Sequence, residues 1–140
     1  MPRYLGIDLG ERRIGLAVSD ELGLVAQGLP TLKRKGARAD LAQLGELIQR
    51  LGVEEVIVGY PLNLDGTLGE GAEKASAFAR ELEQAFPVRT ILWDERLTTK
   101  AAERFLIETG MRRKRRREVV DQVAAVLILQ GYLDRLAAGG

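Results

Sequence analysis

Arg3-Tyr4-Leu5-Gly6-Ile7-Asp8-Leu9-Gly10-Glu11-Arg12-Arg13-Ile14-Gly15-Leu16-Ala17-Val18-Ser19 decides the fold. Two short apolar runs, Arg3–Leu9 and Ile14–Ser19, flank the polar break Gly10-Glu11-Arg12-Arg13. Short β-branched runs around such a break are the pattern of an antiparallel hairpin. Asp20-Glu21-Leu22-Gly23 turns the chain again and predicts a third strand over about Leu24–Leu32. The first third thus reads as an antiparallel meander. One carboxylate, Asp8, stands at the end of its first strand.

Outward from the meander the period changes. Lys33–Arg38 is a polar linker, and then Leu41, Leu44, Leu47, Ile48 and Leu51 recur at helical spacing up to Gly52. Glu55-Val56-Ile57-Val58-Gly59 predicts a short buried strand, and Tyr60–Gly71 a loop. Ala72, Ala75, Phe78, Ala79 and Leu82 mark a second helix ending before Pro87, and Val88–Trp93 predicts a fifth strand. Thr98 or Thr99 is a cap for a third helix, which carries Ala102, Phe105 and Leu106 and stops at Gly110. A strongly apolar last helix is expected over about Glu118–Leu136.

The order is βββαβαβαα. Strands alternating with helices imply parallel pairing with right-handed crossovers. The expected fold is α/β: a mixed five-stranded sheet, three antiparallel strands then parallel ones, flanked by helices. At 140 residues the chain reads as a single domain with one core. The crevice at the carboxyl ends of the strands is the expected ligand site. Asp8 and Glu95 both lie at strand ends.

Composition excludes several chemistries. The chain has no His and no Cys. A Ser-His-Asp or Cys-His nucleophilic site is therefore impossible, as are the usual Zn2+ sites with thiolate or imidazole ligands. Without disulfides, and without a signal peptide or long uncharged apolar stretch, a cytoplasmic location and no membrane association are expected. Arg outnumbers Lys and Asn63 is the sole Asn, which suits a thermophile or a GC-rich genome alike.

Oxygen ligands remain. Asp8 in an apolar strand is costly to bury unless paired or metal-bound, although strand–turn junctions also favour Asp. In Asp94-Glu95-Arg96 the two acids should point to opposite faces, and Glu95 is the one expected in the cleft. An alternative is an acid favouring a helix N-terminus. Asp121 has Ala124, Ala125 and Ile128 at i+3, i+4 and i+7, so it shares the apolar face and points inward. A buried cap partner is the other reading of that position. Asp8, Glu95 and Asp121 together would repel one another, and their titration would be coupled. Divalent Mg2+ or Mn2+ is the simplest compensation. Two such ions about 4 Å apart suit in-line hydrolysis of a phosphodiester, with no side-chain base required.

Arg112-Arg113-Lys114-Arg115-Arg116-Arg117 holds six of the 21 basic residues and leaves 15 against 20 acidic elsewhere. A mildly acidic body with one dense cationic loop is suited to meet a polyanion at one place. A solvated loop is the bland alternative. The run precedes the helix of Asp121, and with Arg96, Thr98 and Lys100 it is expected to hold phosphates.

Four ordered motifs extend this reading. Gly6-Ile7-Asp8-Leu9-Gly10, Gly59-Tyr60-Pro61-Leu62-Asn63 with Asp65-Gly66-Thr67, Asp94-Glu95-Arg96-Leu97-Thr98-Thr99, and Asp121-Gln122-Val123-Ala124-Ala125 through Tyr132-Leu133 resemble the YqgF/RuvX family over nearly the whole chain. The resemblance implies an RNase H-like fold and a nuclease, described for that family as a Holliday-junction resolvase or as maturing the 5′ end of pre-16S rRNA. The acids matching the family are Asp8, Glu95 and Asp121. RNase H-like enzymes commonly carry an acid at the end of the fourth strand, where this chain has Gly59-Tyr60-Pro61-Leu62-Asn63. RuvC-type sites often add a second acid on the last helix, where this chain has Ala124. Asn63 is a candidate neutral ligand or phosphate contact, or a turn residue.

Two function classes follow: a metal-dependent nuclease, or a nucleic-acid-binding or assembly factor without turnover. An actin-like ATPase fails on length, because that site lies between two such domains. The expected partners are precursor rRNA, branched DNA and ribosomal particles. No spare apolar stripe signals a strong dimer, so a monomer, or at most a weak dimer, is expected.

Overall fold

The computed structural model describes residues 3–61, 69–94 and 113–139, with side chains in the last stretch from Asp121 onward. Its elements in chain order are β1 (Arg3–Leu9), β2 (Arg13–Ser19), β3 (Ala26–Lys33), α1 (Ala37–Leu51), β4 (Val53–Tyr60), α2 (Glu70–Ala85), β5 (Arg89–Asp94) and α3 (Arg113–Ala137). The helix expected over residues 98–110 lies outside the described residues.

The five strands form one sheet in the order β3-β2-β1-β4-β5. β1 pairs antiparallel with β2 and parallel with β4; β2–β3 is antiparallel and β4–β5 parallel. The mixed sheet predicted from the change of period is therefore the one observed. β1 is central, which places Asp8 at the middle of the sheet's carboxyl edge.

Strand alternation splits the core in two. Leu5, Ile7, Ile14, Leu16, Val56 and Val58 face one side and pack with Leu44 and Ile48 of α1 and Ala75, Phe78 and Leu82 of α2. Ala17 and Ile57 face the other side, against Ala125, Ile128, Leu129 and Leu133 of α3. Each fully buried Leu or Ile contributes roughly 1.5–3 kcal/mol of transfer free energy. Tyr132 closes the second layer edge-on, its ring 5.9 Å from Tyr4 and 6.0 Å from Trp93. α1 ends where Gly52 takes the left-handed conformation at φ 66°, and its N–H caps the Gln49 and Ile48 carbonyls.

Several boundaries depart from the sequence reading by a residue or two, and three departures have a clear local reason. β3 starts at Ala26 rather than Leu24, because an Asp20 side-chain oxygen accepts the N–H groups of Leu24 and Val25 and keeps both in the turn. The linker shortens to residues 34–36, since β3 continues to Lys33 and α1 starts at Ala37. The largest correction concerns the basic run. Arg113 through Arg117 are the first turns of α3, not a loop. Arg and Lys are strong helix formers, and no Gly or Pro interrupts the chain between Met111 and Gln130. The helix therefore extends back past Glu118.

No helix among the described residues is long and apolar enough to cross a membrane.

Candidate active site

Asp8 points toward α3. Its strand neighbours Ile7 and Leu9 pack on the opposite layer, and Gly6, two residues earlier, lies under α3. Asp8 pairs in register with Gly15 of β2. A Cβ at Gly15 would collide with the backbone carbonyl of Asp121. A Cβ at Gly6 would stand 2.8 Å from the Leu129 Cβ and 3.0 Å from the Ala125 carbonyl. The missing side chains let α3 lie directly on β1 and β2. Asp121 reaches Asp8 for that reason. Isolated Gly inside a strand signals such close backbone approach, and that signal in Gly15 was available in the sequence.

The helix presents Asp121 inward. Ala124, Ala125 and Ile128 are fully buried, and the Asp121 side chain keeps only 22% of its exposure. Its Oδ2 accepts a hydrogen bond from Arg13 Nε at 3.0 Å. Arg13 begins β2 and was not singled out from the sequence: the two residues are 108 positions apart. With Arg13 one-third exposed, the bridge itself contributes at most about 1 kcal/mol.

Electrostatics mark the pair as strained. Burial and then the negative charge of Asp121 push the Asp8 carboxyl up to about 7. Burial raises Asp121 as well, and Arg13 pulls it part of the way back. The two acids titrate as a unit. Among the described residues, no hydrogen bond or ion pair holds the Asp8 carboxyl.

A contrasting acid lies nearby. Asp40 in the first turn of α1 is fully buried. Its Oδ2 accepts from Arg34 Nε at 3.1 Å and its Oδ1 from the Lys35 N–H at 2.9 Å. Arg34 also donates to the Gly10 carbonyl at 2.9 Å. Asp40 thus pins the turn that follows Asp8. Its carboxylate is already satisfied and does structural work.

Glu95 follows β5 immediately but lies outside the described residues, as do Asn63, Arg96, Thr98, Lys100 and Arg112. Arg113, Lys114, Arg115, Arg116 and Arg117 are helical, in the turns that precede Asp121. Asp94, the last residue of β5, faces away from α3. Trp93 packs on α3 beside Gly131, and alternation sends Asp94 to the other side. Among the described residues no group of three acids forms; Asp8 and Asp121 are two members of the expected three. A cavity of about 560 Å3 between the β1–β2 turn and α2 lies on the far face of the sheet, lined by Leu9, Arg34, Glu70 and Lys74, and does not include the acid pair.

The donor set is carboxylate oxygen, half-buried, with Asp8 raised first by burial and then by the charge of Asp121. Such a pair fits a hard divalent cation, which would relieve the repulsion that raises Asp8.

Comparison with known proteins places this geometry. The family model described as "RuvX: Holliday junction resolvase" matches residues 2–135. A protein of Moorella thermoacetica named "Putative pre-16S rRNA nuclease" is 54% identical over 138 residues, covering 99% of both chains. A Bacillus subtilis protein of the same name is 47% identical over 136 residues, covering 96% of this chain and 99% of that one. Among solved structures, Thermus thermophilus RuvC in complex with a Holliday junction substrate superposes with a TM-score of 0.60 at 18% identity, covering 98% of this chain and 97% of that one. The fowlpox virus resolvase in complex with junction DNA gives 0.57 at 10% identity, covering 96% and 98%. The likeness to these structures is one of fold, RNase H-like. The chain belongs to the RuvX (YqgF) family.

Proposed function

We propose that this protein is a divalent-cation-dependent nuclease that hydrolyses phosphodiester bonds in precursor 16S rRNA, at the maturation of its 5′ end. The observation that carries the proposal is the Asp8–Asp121 pair. Two carboxylates are packed together where burial, and then the charge of Asp121, raises Asp8, and a glycine at position 15 makes the approach possible. A protein that only binds nucleic acid gains nothing from unsatisfied negative charge beside a polyanion. Relatives about half identical over nearly their full length carry the name of a pre-16S rRNA nuclease.

Asp8 and Asp121, with Glu95, would hold Mg2+ or Mn2+. The bound cation would supply an activated water and charge stabilisation at the leaving oxygen. The protein's own residues do the rest. β1 and α3 fix the two carboxylates from opposite sides. Arg13 holds one oxygen of Asp121 and leaves the other for the cation. Arg96, Thr98, Lys100, Asn63 and Arg112–Arg117 are the proposed phosphate contacts. A single cleft suits trimming of one strand by a monomer, whereas a junction resolvase makes paired cuts with two sites.

The test compares Mn2+-dependent cleavage of a precursor rRNA fragment and a four-way DNA junction by protein purified from a nuclease-deficient host, with its mass measured in solution. Cutting of the rRNA by a monomer is the expected result. A stable dimer that nicks junctions symmetrically and leaves the rRNA intact would establish the resolvase reading instead.

A further inference from the structure

The turn and linker beside the acid pair carry a second group of cations. Arg13 and Lys33 are paired residues on β2 and β3. Directly paired residues share a face of the sheet, and Arg13 faces Asp121, so Lys33 stands on the same face. The Arg34 N–H donates to the Arg12 carbonyl at 2.9 Å and folds the linker against the turn after β1. Lys35 follows in that linker and Arg38 opens α1. Arg12, Lys33, Lys35 and Arg38 are exposed. Among the described residues, no carboxylate pairs with any of these four side chains. Of the acids at this end, Asp40 is taken by Arg34 and Asp121 by Arg13, Glu11 projects from the tip of the turn, and Glu46 of α1 lines a pocket with Lys33 and Lys35 without an ion pair to either.

Like charges placed opposite each other on adjacent strands are destabilising. Arg13 and Lys33 form such a pair; Asp121 offsets Arg13, while Lys33 has no carboxylate partner among the described residues and is left to an anion. We propose that Arg12, Arg13, Lys33, Lys35 and Arg38 form a phosphate track that carries the backbone of a single RNA strand to the acid pair. The nature of the occupant rests on the nuclease reading above. The track wraps the end of the sheet, from Arg38 and Lys35 beside α1 to Lys33 and then to Arg13, which is bonded to Asp121. A polyanion bound along it arrives with a phosphodiester beside Asp8. The Arg13 bond uses Nε, one of five donors on a fork whose geometry matches phosphate. The track is separate from the basic turns at the start of α3 and draws on β2, β3 and α1.

The experiment measures binding without cleavage, by anisotropy of a fluorescein-labelled single-stranded RNA in EDTA, from about 50 to 200 mM salt. The variant Lys33→Gln/Lys35→Gln/Arg38→Gln removes three exposed track charges. Arg80→Gln/Arg89→Gln/Arg135→Gln removes three exposed charges elsewhere and controls for net charge. Thermal melts verify that both fold. The expected result is weaker binding by the track variant alone, with its log–log salt slope shallower by roughly 2, at about 0.7 for each lost contact. Equal slopes for the two variants would overturn the track, and Mn2+-dependent cutting by the wild type in a parallel assay would leave the nuclease reading standing. A wild type that neither binds nor cuts RNA would overturn both.

Discussion

Two arginine–aspartate pairs stand on opposite faces of the sheet near its carboxyl edge, and they are nearly identical in length. Arg34–Asp40 measures 3.1 Å and Arg13–Asp121 measures 3.0 Å. Their surroundings differ. Asp40 is fully buried, and each of its oxygens accepts a hydrogen bond. Asp121 is partly open, is bonded through one oxygen, and faces a second carboxyl that burial, with the charge of Asp121 added, pushes up to about 7. A buried acid with both oxygens matched belongs to the scaffold. Two acids left facing each other with unmatched oxygens destabilise the apo fold and persist where function requires them. Ion-pair geometry alone does not separate the two cases; the count of satisfied oxygens does.

The largest expected effect separates the pairs by activity. Asp8→Asn, Asp121→Asn and Glu95→Gln should each lower RNA cleavage by at least about 100-fold. That is the upper range for losing an outer-shell partner of a metal, and a direct ligand should cost more. Their losses should not add, because one missing ligand already disables the site. Steady-state rates of single and double variants, with EDTA controls, check this. Retention of wild-type rates by Asp8→Asn would remove the acids from the mechanism.

Next in size is the packing that makes the functional pair. Gly15→Ala forces α3 away from β2 and should destabilise the fold by about 3 kcal/mol, the upper range for overpacking. Urea denaturation measures it. Activity should fall in the still-folded protein as well, because Asp121 moves with the helix. A fully active, fully stable Gly15→Ala protein would show that the close approach is dispensable.

The scaffold pair should respond in the opposite sense. Asp40→Ala leaves the guanidinium of Arg34 half-buried without its carboxylate and should cost about 2–3 kcal/mol of stability. Asp121→Asn should cost less stability than this. If denaturation midpoints rank the two variants the other way, the distinction drawn here between scaffold acid and site acid is wrong.

A further effect is in pH. The folded-state value of Asp8 is raised, so the proton is bound more tightly in the folded than in the unfolded chain. Its contribution to stability is fully present below the ordinary value of 3.8 and is lost as pH rises through about 7. Asp8→Asn should therefore melt higher than wild type at pH 8, and the difference should shrink toward pH 4. Melting temperatures across that window test the sign.

The sequence revealed the sheet readily and the site only in part. Hairpin punctuation at Gly10–Arg13 and helical spacing from Leu41 to Leu51 are local signals, and both elements stand within a few residues of where they were expected. Asp121 was legible as inward-facing because Ala124, Ala125 and Ile128 are its own helix neighbours. Arg13 was not legible as its partner, since the contact spans 108 residues and depends on where α3 lands. Asp40 looked like an ordinary first-turn acid, and only tertiary packing shows that it is buried. Charge density makes the basic run look like a solvated loop, whereas the helix propensity of Arg and Lys carries α3 through it. Lys33, Lys35 and Arg38 were read as linker, because the register that brings Lys33 beside Arg13 is a property of the sheet.

Mn2+ titration followed by calorimetry at pH 8 tests the central claim most directly, using wild type, Asp8→Asn and Asp40→Asn. The account predicts binding by wild type and Asp40→Asn, no measurable binding by Asp8→Asn, and weaker wild-type binding at pH 5.5, where Asp8 is protonated. Binding of Mn2+ by Asp8→Asn with wild-type affinity would contradict it.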